Sequence, residues 1–255
     1  MTTNLKSQDL ENGVRVLTLS RPPVNALTVP YLEELEAAFD EIDKDDSVCA
    51  LVLNSDLRVF SAGLDLKEAL AFSATEQTAI VDGLNAAYCR LYAISKPVIA
   101  AINRAAIAGG LFFPLGSDYV VADASAKFGL TEIRVGVIFP YGALEVARAE
   151  MPPLSFNQIM LSGNNVGAKE ALTMGIVNEV VEPDQLQTRA IEIAQDYARI
   201  PPLAFANIKA QMRKPVLDRI SQVIADKSDP ARIGWFTDET VQAMSALLES
   251  ATKKG

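Results

Sequence analysis

A chain of 255 residues, 49% hydrophobic and 22% charged, carries enough apolar material for a sizeable core, which excludes disordered and fibrous classes. Its net charge of −9 and pI near 4.7 argue against nucleic acid or an anionic membrane surface as partner, because both demand a basic patch. Histidine is absent, which removes Ser-His-Asp and Cys-His nucleophilic catalysis together with the commonest zinc ligand, so no metal is expected and acid–base chemistry falls to carboxylates, Lys, Tyr or Cys.

The N-terminal text has no apolar h-region, and no stretch of about 18 apolar residues occurs, so neither a signal peptide nor a membrane span is expected. Cys49 and Cys89 stand among apolar neighbours and read as reduced core residues, which makes the cytoplasm the default compartment. In chain order, Val14 to Ser20, Ala50 to Asn54, Pro97 to Ile102 and Tyr119 to Ala122 are short β-branched runs ending at turn residues, and each predicts a strand. Between the first two, Leu32, Leu35, Phe39 and Ile42 recur at helical spacing behind a start at Thr28 and Pro30. Ala74 to Ala93 predicts a second amphipathic helix, with Ile80, Leu84, Ala87 and Leu91 on its stripe.

Apolar strands alternating with helices predict the α/β class with a mostly parallel, doubly covered sheet. Beyond Asp184 only helical periodicity remains: Gln185 to Ile200, Leu203 to Lys214, Val216 to Ala225 and Asp238 to Lys253, broken at Pro201, Pro202, Pro215 and Asp229-Pro230. The predicted division is a core over 1–190 and a helical region over 191–255.

Two glycine-bearing segments carry the chemistry. In VFSAGLDLKE, Val59 to Glu68, Gly63 lets backbone approach a ligand closely. In AIAGGLFFPLGSD, Ala108, Gly109 and Gly110 precede a run, Leu111 to Leu115, apolar enough to predict a buried helix. Small residues at a helix start leave N–H groups uncovered, and the helix dipole favours negative charge there. Pro114 removes a helical N–H and can tilt that helix.

The layout RPPVNAL, FSAGLDL, AAIAGGLFFPLGSDYVVA, FGLTEIRVG and a helical end resembles the enoyl-CoA hydratase/isomerase (crotonase) superfamily over essentially the whole chain. The resemblance implies a spiral of β-β-α turns, a helical C-terminal trimerisation region, and a homotrimer or dimer of trimers. It implies an acyl-CoA thioester as substrate, with coenzyme A carried by that substrate and no separate cofactor. It also implies an oxyanion hole formed by the N–H groups of Leu64 and Gly109, beside Ala62, Gly63, Asp65 and Gly110. Such donors act most strongly on the oxygen that gains charge as the α-carbon loses its proton.

Hydratases of the family use two glutamates. Phe112 takes the place of the first, and Glu132 in GLTEIRVG retains the second. One carboxylate suits a proton shuttle, and the local text is most similar to the Δ3,Δ2-enoyl-CoA isomerase type of lipid metabolism, in which the matching glutamate moves a proton from C2 to C4. Leu130, Ile133, Val135 and Val137 would desolvate Glu132 and raise its pKa. Phe112 is expected to line the acyl pocket.

Arg21 and Lys67 are the expected partners of the coenzyme A phosphates. Lys209, Arg213 and Lys214 serve the 3′-phosphate or solvate a helix face, and Trp235 packs at a subunit interface or covers the pocket. Other crotonase reactions stay open (hydration, dehalogenation or thioester hydrolysis), as does a non-catalytic acyl-CoA-binding trimer. For hydration, Glu145 or Glu150 would have to reach Glu132.

Overall fold

The computed structural model describes residues 4–235 and 237–252; Met1 to Thr3, Phe236 and Lys253, to which the last predicted helix was carried, lie outside them. A six-stranded sheet runs in the order β1 (Leu5–Asp9), β2 (Val14–Leu19), β3 (Ala50–Ser55), β4 (Val98–Ile102), β6 (Tyr119–Asp123) and β9 (Glu179–Val181). Only β1 on β2 is antiparallel; the other four pairings are parallel. A second stack comprises β5 (Ala105–Ile107), β7 (Lys127–Gly129) and β8 (Val166–Gly167), and an isolated parallel bridge from Ser61 to Ala106 extends it. From β3 to β7 the chain places one strand in the first stack and then one segment in the second: β3 and Ser61, β4 and β5, β6 and β7. That alternation is a spiral, and it turns the expected α/β pattern into a specific topology.

The sheet's two faces follow the period of two. Leu17, Leu19, Leu51, Leu53, Val98 and Ala100 belong to the main core. Val14, Val16, Ala50, Val52, Ile99 and Ala101 form a second core with Leu186, Ala190, Ile193 and Ala194 of a covering helix, Leu186–Tyr197. On the main side lie α1 (Val29–Lys44) and α3 (Ala74–Ala93), separated in sequence by the short α2 (Leu66–Ala71). Helix α3 starts at a capping box: Glu76 accepts from the Ser73 N–H at 2.7 Å, and the Ser73 hydroxyl oxygen accepts from the Glu76 N–H at 3.4 Å. The predicted helix over Leu111 to Leu115 divides into a 3₁₀ turn, Ala108–Leu111, and the short α4, Phe112–Leu115. α5 is Tyr141–Glu150, α6 is Pro153–Ser162, and α7 is Ala168–Thr173; the helix covering the sheet is α8.

Three expectations are corrected. Pro215 does not end a helix: α9 runs unbroken over Pro202–Ala225. Its buried residues Lys209, Arg213, Val216 and Ile220 lie on one face on both sides of the proline, so tertiary anchoring offsets the missing N–H. The basic cluster is also different in kind. Lys209 and Arg213 are 6% and 5% exposed; they neither solvate a face nor stand free for a phosphate. Lys209 Nζ donates to Asp118 Oδ2 at 2.6 Å and to the Lys96 carbonyl at 2.9 Å, while Arg213 pairs with Asp118 at 3.0 Å and donates to the Tyr92, Gly116 and Ser117 carbonyls. Lys214 alone is on the surface, paired with Asp218. Cys49 is exposed and Cys89 half-buried, so neither is a fully enclosed core residue; burial pushes the Cys89 thiol up to about 11. The chain closes with α10, Asp238–Thr252. No helix among the described residues is long and apolar enough to cross a membrane.

Candidate active site

A cavity of about 540 Å³ opens between the two glycine turns, α3, the Thr131–Val135 segment and α10. Its walls are almost wholly apolar, with Val81, Leu84, Phe112, Val135, Trp235 and Met244 among the lining side chains. Chain distance hides how close the turns are. Gly63 has φ of +81°, and a β-carbon there would meet Ala108 Cβ at 2.8 Å, the Ile107 carbonyl at 2.9 Å and Gly109 N at 3.0 Å. Gly110 is packed as tightly, its absent β-carbon lying 2.7 Å from Ser61 Cβ and 2.8 Å from the Ser61 carbonyl. Gly63 and Gly110 therefore stand behind the cavity wall and let it exist.

The Leu64 amide is oriented by a strand-like bridge to Leu27. Leu27 N–H donates to the Gly63 carbonyl at 2.8 Å, and Asp65 N–H donates to the Leu27 carbonyl at 3.4 Å. Alternation turns the N–H between them, that of Leu64, to the opposite side, where Leu64 lines the cavity. Gly109 is in the first turn of the 3₁₀ segment, where amides have no partner within the helix. The preceding Ala108 is held at φ +50°, a left-handed conformation uncommon outside glycine. Leu64 and Gly109 thus face one cavity from two adjoining turns.

Glu132 is the third member. It opens a 3₁₀ turn, Glu132–Val135, ended by Gly136 at φ +68°, and its carbonyl accepts the Val137 N–H at 3.1 Å. Its side chain enters the cavity, where Oε2 is buried and has no hydrogen-bond partner. Burial pushes its pKa up to about 8, against a smaller opposing pull from its own backbone N–H. Phe112 lines the same cavity, its ring 5.3 Å from Tyr88 and 5.9 Å from Phe139. Ala62, Asp65 and Lys67 also line it, although the Asp65 carboxylate caps α2 by accepting the N–H groups of Lys67 and Glu68.

Arg21 does not line the cavity: its guanidinium donates to the Ala26 carbonyl at 2.8 Å and lies 3.8 Å from Glu68. Trp235 covers the pocket, fixed by its N–H to Gln77 Oε1 at 2.7 Å and by Nε1 to the Ala69 carbonyl at 3.2 Å. Glu145 and Glu150 lie away from the cavity. Glu145 pairs with Arg148 and Arg219, and Glu150 accepts the Tyr92 hydroxyl at 2.5 Å. Trp235 takes the second of its two expected places, over the pocket, whereas Tyr88 and Met244 enter the site without having been expected there. Tyr88 follows the apolar stripe of α3 by four residues from Leu84, which marks it as buried but not as a wall of this cavity.

Two stacked strand layers with a cavity set between glycine turns define the crotonase fold. The chain belongs to the enoyl-CoA hydratase/isomerase family, whose pattern it matches over residues 9–249. It is 30% identical over 247 residues to a short-chain-enoyl-CoA hydratase of Clostridium acetobutylicum, covering 96% of this chain and 95% of that one. It is 34% identical over 194 residues to the carnitinyl-CoA dehydratase of Escherichia coli K12, covering 76% and 74%. Among solved structures it superposes on human mitochondrial Δ3-Δ2-enoyl-CoA isomerase with a TM-score of 0.92 at 28% identity, over 99% of each chain. Family members act on acyl-CoA thioesters, and this chain is an enzyme of that family.

Proposed function

We propose that this chain isomerises a 3-enoyl-CoA to a 2-trans-enoyl-CoA, using Glu132 as its one base and the N–H groups of Leu64 and Gly109 as the oxyanion hole. The thioester carbonyl oxygen accepts both N–H groups. Ionised Glu132 takes a proton from C2, the C2–H electron pair spreads into the dienolate, and the same carboxyl returns the proton to C4. The double bond passes from C3–C4 to C2–C3, with no water or oxidant consumed. Coenzyme A enters as part of the substrate, its phosphates meeting Lys67 at the cavity mouth, and no separate cofactor takes part.

The observation that carries this reading is the Glu132 carboxylate in an apolar cavity, its Oε2 buried and unpartnered, while Asp65, the other carboxylate lining that cavity, is engaged in capping α2. A desolvated carboxylate is a stronger base toward a carbon acid, and shuttling one proton needs no second acid. Hydration, the reaction in the name of the C. acetobutylicum relative, is the second reading. It needs a further group to hold water, and Glu145 and Glu150 are engaged elsewhere. Incubation with 3-hexenoyl-CoA and with crotonyl-CoA separates the two through the absorbance of the conjugated thioester. Isomerisation gives a gain with the first and no loss with the second; loss of crotonyl-CoA absorbance without a gain from 3-hexenoyl-CoA would overturn it.

The active assembly is proposed to be a homotrimer. Helix α9 exposes Leu203, Ile208 and Met212, an apolar face suited to a second copy of the chain. Light scattering on the eluting protein tests this, with a monomeric mass as the contrary result.

A further inference from the structure

Tyr88 stands between the two halves of this site. It reaches the cavity from α3, is 1% exposed, and its hydroxyl donates to the Gly109 carbonyl at 2.6 Å. The same carbonyl accepts the Phe112 N–H that closes the 3₁₀ turn. The phenol ring is clamped by Phe112 at 5.3 Å and Phe113 at 5.0 Å, so the hydroxyl has little freedom to turn elsewhere. A β-carbon on Gly109 would lie 2.9 Å from that oxygen.

The turn that Tyr88 grips needs an external hold. Ala108 is left-handed, and two glycines follow it, so local preference does not fix the direction of the Gly109 amide. A phenol also has one O–H to give. Given to Gly109, it is withheld from Glu132, whose Oε2 stays buried and unpartnered in the same cavity. A hydrogen bond from Tyr88 to that carboxylate would stabilise the ionised form and weaken the base. Burial, with a smaller push from the Glu132 charge, holds the Tyr88 phenol well above its ordinary pKa, so it remains a neutral donor.

We propose that Tyr88 is a positioning residue for enolate formation, strapping the Gly109 turn in its donor orientation while giving no hydrogen bond to Glu132 Oε2. This rests on the reading of Leu64, Gly109 and Glu132 as hole and base, but not on which product follows the enolate. It extends that reading to a residue that transfers no proton itself.

The test is Tyr88→Phe, which keeps the ring and its packing, assayed by exchange of the C2 hydrogens of saturated hexanoyl-CoA in D₂O. Exchange reports enolate formation whether or not a double bond migrates, so failure with 3-hexenoyl-CoA would sink the isomerase reading and leave this proposal standing. The expected result is a fall of about tenfold or more in kcat for exchange with KM within about twofold, because the lost alignment acts on the developing oxyanion. The acid limb of the pH–rate profile should coincide with that of the wild type measured alongside it. Exchange within about twofold of wild type would overturn the strap. A displaced acid limb would overturn the withheld proton, and a rise in KM matched by lost thermal stability would reduce Tyr88 to packing.

Discussion

Gly63 and Ala108 belong to turns 45 residues apart, yet a β-carbon on Gly63 would stand 2.8 Å from the one on Ala108. The closeness of the two turns depends on Gly63 having no side chain of its own. Gly63→Ala would meet rigid backbone at Ile107 and Gly109 as well as a φ of +81°. We expect a loss of about 2–4 kcal/mol in urea unfolding and of at least about a hundredfold in isomerase rate. Gly83→Ala is the contrast: its β-carbon would meet only the Leu32 side chain, at 3.4 Å, and helix propensity should stabilise α3 by about 0.5–1 kcal/mol.

The elevated pKa of Glu132 fixes the direction of the pH dependence. The base works ionised, so kcat/KM should rise through about pH 8 and level off above it. At pH 6 the ionised fraction, and with it the rate, should be about one hundredth of the plateau. Among the described residues, the other titratable groups lining the cavity are Asp65, Lys67 and Tyr88, and Tyr88 is held too high to add a falling limb in this range. A profile already flat at pH 6 would mean that Glu132 is not the base.

Glu132→Gln should separate activity from stability. Isomerisation should be lost while the fold remains. In the folded chain this carboxyl titrates near 8, against 4.5 for the ordinary value, so between those values the folded state holds a proton that the unfolded state has released. The group's contribution to stability is fully present below about 4.5 and is lost as pH rises through 8. The variant should therefore melt with wild type at pH 4.5, and about 5–10 °C higher at pH 9. Equal melting at both values would contradict the buried, unpaired carboxylate.

What was legible in the sequence follows from what leaves a local signature. Strands β2, β3, β4 and β6 were found within a residue or so because they are apolar runs ended by turn residues, and α3 because an apolar stripe recurs along it. β1 was missed because four of its five residues are exposed, and β5, β7 and β8 because two or three residues carry no period. The glycine turns and Glu132 were legible through family resemblance. That Tyr88 touches Gly109, or that Lys209 and Arg213 turn inward, is a long-range relation that spacing along one helix does not encode.

That inward turn supports a last prediction. Asp118 accepts from Lys209 Nζ at 2.6 Å and from the Val98 N–H at 2.8 Å, and pairs with Arg213 at 3.0 Å, joining α9 to the end of the segment that carries Gly109. Asp118→Ala leaves Lys209 without its ion-pair partner and Arg213 with only the more distant Glu150, at 3.8 Å, which costs about 3–5 kcal/mol near neutral pH. Burial already lowers Lys209 to about 8, so between there and 10.5 the unfolded chain binds the proton more strongly and stability from this group increases with pH. In the variant Lys209 can shed its proton on raising the pH, whereas Arg213 cannot. The loss measured by urea unfolding should therefore be smaller at pH 9 than at pH 6.5, and a loss equal at both would place the cost on the Arg213 side alone.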